Sequence, residues 1–130
     1  MSPQTPQKKI LVVDDDESFG VMLREALSDR GYEVVVCFDP LGGAAAMKSF
    51  QPDLVITDIN MPAGGGQSLF RAVRMNAPML PVIVASGSVK PDEIWERLGT
   101  VADSRTAVMH KPLQIKPLAE LVARMLGVSA

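Results

Sequence analysis

Short apolar runs alternate along this chain with stretches whose apolar residues recur at helical spacing. The runs are Ile10–Asp14, Tyr32–Cys37, Leu54–Asp58, Pro81–Ser86 and, less sharply patterned, Ala107–Lys111. The first, third and fourth are apolar nearly throughout, as expected of parallel strands covered on both faces. Between them, Phe19, Met22, Leu23, Ala26 and Leu27 form one helical stripe that Gly31 would stop, and Ala44, Met47 and Phe50 mark a second helix. Leu69, Phe70, Val73 and Met75 mark a third, closed by "NAP". Ile94, Trp95, Leu98 and Val101 mark a fourth that Pro91 would start, and Leu118, Leu121, Val122 and Met125 a fifth ending before Gly127.

Strict alternation of strand and helix predicts an α/β fold: a doubly wound parallel sheet with helices on both faces and right-handed crossovers. At 130 residues the chain is the size of one domain, able to bury roughly two thirds of its unfolded surface. Residues 1–8 are polar, hold two prolines and read as a loose tail, leaving 9–127 as the folded unit with no output domain after it.

Composition narrows the function. With 47% hydrophobic and 22% charged residues and a net charge of −2, the chain has the balance of a folded soluble protein and lacks the basic footprint that nucleic acid or an anionic membrane requires. No apolar stretch reaches the roughly 20 residues of a membrane span, and the N-terminus lacks the apolar core of a secretory signal. The single cysteine, Cys37, excludes an internal disulfide and reads as a small buried thiol in a reducing, cytoplasmic setting.

Chemistry is expected at the carboxyl ends of the strands, where open α/β sheets bind ligands. The first run leads into Asp14, Asp15 and Asp16, the third ends in Asp58, the fourth in Ser86 and the fifth in Lys111. Carboxylates crowded at one rim raise one another's pKa unless a hard cation holds them ionised, and Mg2+ suits a few carboxylates with positions left for water and phosphate oxygens; Mn2+ would fit the same ligands. Asp58 has the chemistry to attack phosphorus and form an acyl phosphate, with Lys111 and the Ser86 hydroxyl neutralising the phosphoryl oxygens and Gly87 leaving room.

These residues resemble the receiver domain of two-component response regulators, the CheY-like superfamily. "ILVVDDDE" is similar to the family's strand ending in an acidic pair, "PDLVITDINMP" to its phosphoacceptor stretch, "PVIVASG" to its fourth strand and "VMHKPL" to its Lys-Pro signature. The resemblance implies a flavodoxin-like (βα)5 sheet of strand order 2-1-3-4-5. It implies Asp58 as phosphoacceptor, with Lys111 and Ser86 as its catalytic partners. Asp15 would bind Mg2+ directly, Asp14 through water, Asp58 as a further ligand, and the backbone carbonyl of Asn60 would add another. It further implies a cis peptide before Pro112, a histidine kinase or histidine phosphotransfer protein as donor, a downstream protein target, and a phosphorylation-linked dimer as one form of output. A module of this kind accepts phosphate by self-catalysed transfer rather than acting as a turnover enzyme.

Three positions depart from the family pattern. Val108 stands where an aromatic side chain usually changes rotamer on activation, the stretch from Ser86 to Lys111 is longer by a few residues, and Gly65 replaces a common acidic residue, which suggests a flexible loop after Asp58. Other polar residues have plainer readings. Asp16 reads as a helix N-cap rather than a ligand, Asp39 as a turn or cap residue, Ser88 as a loop serine or a gate for water, and "DSR" at 103–105 as a solvated loop. His110, the only histidine, reads as structural, and Trp95 as either core or, with Met109, a partner surface.

Rival functions fit less well. A Mg2+-dependent phosphohydrolase with an aspartyl-phosphate intermediate usually carries a second aspartate two residues after the nucleophile, where this chain has Asn60. A phosphate-independent interaction domain would not need the acidic pair, Asp58, Ser86 and Lys111 together. A receiver cut from a hybrid kinase or a longer regulator would have the same sequence. Neither "LGGAAAMK" nor "AGGGQS" fits a nucleotide-binding GxxxxGK[ST] loop.

Overall fold

A computed structural model describes residues 7–62, 65–87, 90–100, 103 and 105–128. Its elements run β1 (Lys9–Val13), α1 (Glu17–Ser28), β2 (Glu33–Cys37), α2 (Pro40–Ser49), β3 (Leu54–Asp58), α3 (Gly65–Asn76), β4 (Val82–Ser86), α4 (Pro91–Leu98), β5 (Thr106–His110) and α5 (Ile115–Leu126). All strand pairs are parallel, in the order β2-β1-β3-β4-β5. The expected α/β architecture and strand order are therefore present. The order reverses at β1, which pairs with both β2 and β3, so the switch point lies where Asp14 and Asp58 are found.

The alternation of side chains along each strand divides the core. Ile10, Val12, Leu54, Ile56, Ile83 and Ala85 pack with Leu23 and Leu27 of α1 and Leu118 and Val122 of α5. Leu11, Val13, Val55, Val82 and Val84 face the other way, against Ala46 of α2, Leu69, Phe70 and Val73 of α3, and Ile94 and Leu98 of α4. Full burial of each large side chain contributes about 1.5–3 kcal/mol, so the two layers clamp the sheet from both faces. Trp95 on α4 packs half-buried against the second layer, as does Val108 of β5.

Helix ends follow local chemistry. Asp16 caps α1 by accepting from the Phe19 amide at 3.1 Å, and Asp39 caps α2 by accepting from the Gly42 amide at 2.6 Å, as their positions predicted. Gly99 stops α4 in the left-handed region at φ 69, one turn earlier than a stripe ending at Val101 would require; Val101 itself lies outside the described residues.

Several expectations need correction. Met22 and Met75, assigned to inward stripes, are 41% and 84% exposed, because Met22 falls about 100° round α1 from Leu23 and Met75 on the side of α3 away from Leu69, Phe70 and Val73. Asp14 and Lys111 each follow their strand by one residue, since pairing stops at Val13 and His110. Cys37 is only half-buried, β2 being an edge strand; burial and the nearby Asp39 charge push its thiol up. His110, read as structural, is exposed at the end of β5.

Candidate functional site

Each polar residue of the carboxyl rim is held by the end of its own strand. The Asp14 amide donates to the Cys37 carbonyl at 3.1 Å, the Ile59 amide to the Ala85 carbonyl at 3.1 Å, and the Lys111 amide to the Ser86 carbonyl at 2.8 Å. The backbone just beyond each strand is thereby fixed by its neighbour, so four separate stretches of sequence converge without any long flexible arm.

At the centre, the Lys111 ammonium donates to Asp14 Oδ2 at 2.7 Å and to Asp58 Oδ2 at 3.2 Å. The other carboxylate oxygens are also fixed, Asp14 Oδ1 by the Asp16 amide and Asp58 Oδ1 by the Asn60 amide, each at 2.9 Å. Ser86 is fully buried, and its hydroxyl lies 3.5 Å from the Asn60 side-chain amide. The Lys-Pro bond, Lys111–Pro112, is cis, as the resemblance implied.

The electrostatics are unequal. Burial drives the Asp14 carboxyl above its ordinary value, and the hydrogen bonds from Lys111 and the Asp16 amide do not offset it, because Asp58 adds a second negative charge nearby. For Lys111, burial acts downward, but the Asp14 hydrogen bond and the charges of Asp14 and Asp58 together outweigh it and hold the ammonium above its ordinary value. One cation is thus shared between two buried carboxylates, and it leaves Asp14 short of compensation. Asp15, exposed beside them, completes a group in which one oxygen from each of Asp14, Asp15 and Asp58 lies within 4.8 Å of the others. Hard oxygen donors at that spacing, carrying more negative charge than the neighbouring ammonium neutralises, fit a divalent cation such as Mg2+.

Two features escaped sequence reasoning. The Phe19 ring lies beneath the Lys111 ammonium, 4.5 Å from ring centroid to nitrogen, and so helps place it. Gly65, expected to loosen the loop, and its neighbour Gly66 instead permit close packing. A Cβ on Gly65 would strike the Pro40 ring, and one on Gly66 would lie 2.6 Å from Ile59 Cα, against the backbone that carries Asp58. The run "GGGQ" signalled glycine's absent side chain as readily as its freedom; Ala63 and Gly64 lie outside the described residues, as does Ser88. Asp16 is used as a cap, consistent with its exclusion from the ligand set. Asp103 pairs with Arg105 at 3.2 Å in an exposed turn, with Ser104 outside the described residues.

Residues 10–123 match the family described as "Response regulator receiver domain". The chain belongs to that family. Among relatives, this receiver is 32% identical over 117 residues to the response regulator MprA of Mycobacterium avium (strain 104), a match covering 90% of this chain and 49% of that protein. The chain thus spans about half the length of the curated relatives it matches. Among solved structures, the receiver is similar to a CheY-like response regulator receiver domain protein from Methanospirillum hungatei JF-1, with 26% identity, a TM-score of 0.84, and 94% and 95% of the two chains covered. It is also similar to chemotaxis protein CheY4 of Vibrio cholerae, with 27% identity, a TM-score of 0.81, and 92% and 99% covered. No helix among the described residues is long and apolar enough to cross a membrane.

Proposed function

We propose that this receiver domain, residues 9–127, accepts a phosphoryl group on Asp58 in a Mg2+-dependent reaction. The donor would be the phosphohistidine of a sensor histidine kinase or histidine phosphotransfer protein in the cytoplasm, and the signal an altered contact with a downstream protein. The observation that carries this reading is the Lys111 ammonium held between Asp14 and Asp58 at 2.7 and 3.2 Å.

In the transfer, an Asp58 oxygen forms a bond to phosphorus as the bond from phosphorus to the donor imidazole nitrogen breaks, and the released imidazole takes up a proton from solvent. Asn60 holds one Asp58 oxygen through its amide, which restrains the carboxylate for in-line attack. Lys111 would turn from Asp58 Oδ2 to a phosphoryl oxygen, and the Ser86 hydroxyl would donate to another. At Gly87 an added Cβ would approach nothing among the described residues closer than Lys111 Cβ at 3.8 Å, so its missing side chain keeps the space beside the strand end open. Asp14, Asp15, Asp58 and the Asn60 carbonyl would hold Mg2+, which when bound supplies positive charge to the phosphoryl oxygens.

The acyl phosphate adds nearly two negative charges and three acceptor oxygens. Drawing Lys111 and Ser86 toward them would bias the segment after β4 and the position of α4, and so partner affinity. Valine at 108 has no ring to swing, which places the burden of that shift on α4 itself.

The test is intact mass after incubation with acetyl phosphate, with and without Mg2+, on the natural chain and on Asp58→Ala. Gain of one phosphoryl group that requires both the metal and Asp58 supports the reading. Failure to take phosphate from acetyl phosphate, a phosphorylated kinase and a phosphotransfer protein alike, together with no binding of beryllofluoride, overturns it.

A further inference from the structure

An ammonium that changes partners during a reaction needs one contact that stays. Lys111 is in that position. Its nitrogen donates to Asp14 at 2.7 Å and to Asp58 at 3.2 Å, and the second bond must be released once Asp58 is used as the nucleophile. The third contact is a ring: the ammonium sits over Phe19, 4.5 Å from its centroid. Lys9 over Phe50 at 5.6 Å and Arg74 over Phe70 at 5.4 Å are looser contacts, and both cations lie toward the opposite ends of the strands.

Local sequence places the ring. Asp16 caps α1 by accepting from the Phe19 amide, which makes Phe19 the third residue of the helix and ties it to the stretch that carries Asp14 and Asp15. The ring is half-buried and packs against the layer of Leu23, Leu113 and Leu118. Beside it, Phe19 and Lys111 border a cleft of about 410 Å³ with Asp16, Met22, Pro112 and Leu113, and Asp16, Met22 and Pro112 are exposed. The flexible four-carbon stem of lysine gives the ammonium that cleft, with the Asp16 carboxylate at its edge, as an alternative to the rim. Attraction to the ring face opposes the excursion.

We propose that Phe19 is a positioning residue, holding the Lys111 ammonium at the rim while it exchanges Asp58 Oδ2 for a phosphoryl oxygen. The inference rests on the reading that Asp58 accepts phosphate. A hydrogen bond ties one N–H to one acceptor, whereas the negative face of a ring attracts the whole ammonium and lets it turn. The ring contact can therefore persist through the exchange that breaks the bond to Asp58. With one of its two carboxylates gone, the ammonium depends more on the ring in the transition state than before it. Such a contact raises the rate rather than tightening the binding of metal or donor.

The test places fluorinated phenylalanines at position 19 alone in the full chain, beside Phe19→Leu and Phe19→Tyr. The fluorinated rings keep nearly constant shape while the ring face weakens with each fluorine, so the series stays decisive even where Phe19→Leu fails to fold. Phosphoryl uptake from acetyl phosphate is followed by intact mass. At saturating Mg2+ the rate should fall stepwise with fluorine number and by about 3- to 30-fold in Phe19→Leu, with Phe19→Tyr near the natural rate. The Mg2+ concentration for half-maximal rate should stay the same throughout. In NMR, the Lys111 Cε methylene should be shifted upfield by the ring, remain so after loading with beryllofluoride and Mg2+, and lose the shift in Phe19→Leu. Equal rates across the fluorine series, a changed Mg2+ requirement as the sole effect, or loss of the upfield shift on beryllofluoride loading overturns the positioning role while leaving Asp58 as phosphoacceptor. A natural chain that takes no phosphoryl group and binds no beryllofluoride overturns the functional reading, and this inference with it.

Discussion

Lys111 and Asp14, 97 positions apart in the chain, meet through a 2.7 Å hydrogen bond between ammonium and carboxylate. The pair does not balance: the same ammonium also serves Asp58, and burial still leaves the Asp14 carboxyl above its ordinary value. The folded state therefore binds the Asp14 proton more tightly than the unfolded one. Stability from this group is fully present below the unfolded carboxyl value of about 3.9 and declines as pH rises through the folded value. Asp14→Asn, which mimics the neutral form, is expected to raise the thermal midpoint at pH 7 in metal-free buffer. Each kcal/mol gained should appear as about 3–5 °C in a chain of this length. The advantage should vanish in a scan near pH 3, where the natural carboxyl is protonated as well.

Divalent cation should act in the opposite sense. Mg2+ at about 100 times its dissociation constant stabilises a folded state that alone binds it by about 2.7 kcal/mol. Titrating MgCl2 during thermal unfolding should raise the midpoint of the natural chain and leave Asp14→Asn and Asp58→Asn nearly unmoved. Equal response of all three would place the cation elsewhere.

Lys111→Met removes the only ammonium in contact with Asp14 and Asp58 among the described residues while keeping an unbranched side chain of similar reach. Loss of one preorganised donor from a reacting oxygen commonly costs about 100-fold in rate. The initial rate of phosphoryl uptake from acetyl phosphate should fall by about that factor. Circular dichroism should show the fold retained.

Gly66 and Gly99 are needed for different reasons, and alanine separates them. At Gly99 the backbone is left-handed and no described residue comes within 4 Å of an added Cβ, so Gly99→Ala should cost about 1–2 kcal/mol of local strain. At Gly66 the added carbon would meet backbone at the end of β3, which must shift. Gly66→Ala should cost about 1–3 kcal/mol and, unlike Gly99→Ala, also slow phosphorylation of Asp58. Urea unfolding beside the mass assay distinguishes the two.

Arg74 reaches from the end of α3 to the carbonyls of Leu80 and Arg105 and to the Thr106 hydroxyl, fastening α3 to the starts of β4 and β5. Burial lowers its pKa from the ordinary guanidinium value. Arg74→Met takes its donors from the Leu80 carbonyl and the Thr106 hydroxyl, though the Arg105 carbonyl keeps the Val82 amide, and should destabilise the fold by about 1–3 kcal/mol, read as a lower urea midpoint, with little effect on phosphoryl uptake.

The strand cores and the rim residues were legible in the sequence because each depends on a local run: a short, mostly apolar stretch that ends in a polar residue. Asp16 and Asp39 were legible as caps for the same reason, since a cap bonds within three residues of itself. Arg74 was not, because its partners at 80, 105 and 106 are set by strand order rather than by spacing. Nor was the role of Gly66, which rests on the approach of α3 to β3. Met22 and Met75 misled because an apolar side chain at roughly helical spacing need not lie on the buried ridge. The cis Lys111–Pro112 bond and the strand order came through family resemblance; periodicity alone would have left both open.

Trp95 is the chain's single tryptophan, and it sits half-buried on α4 against the layer that backs the sheet. Its indole emission is therefore uncontaminated by any other indole and sensitive to how closely α4 rests on that layer. With valine at 108, the helix and not a strand side chain carries the optical signal. The molecule is thus equipped with an intrinsic label on the very element whose displacement would convey phosphorylation to a partner.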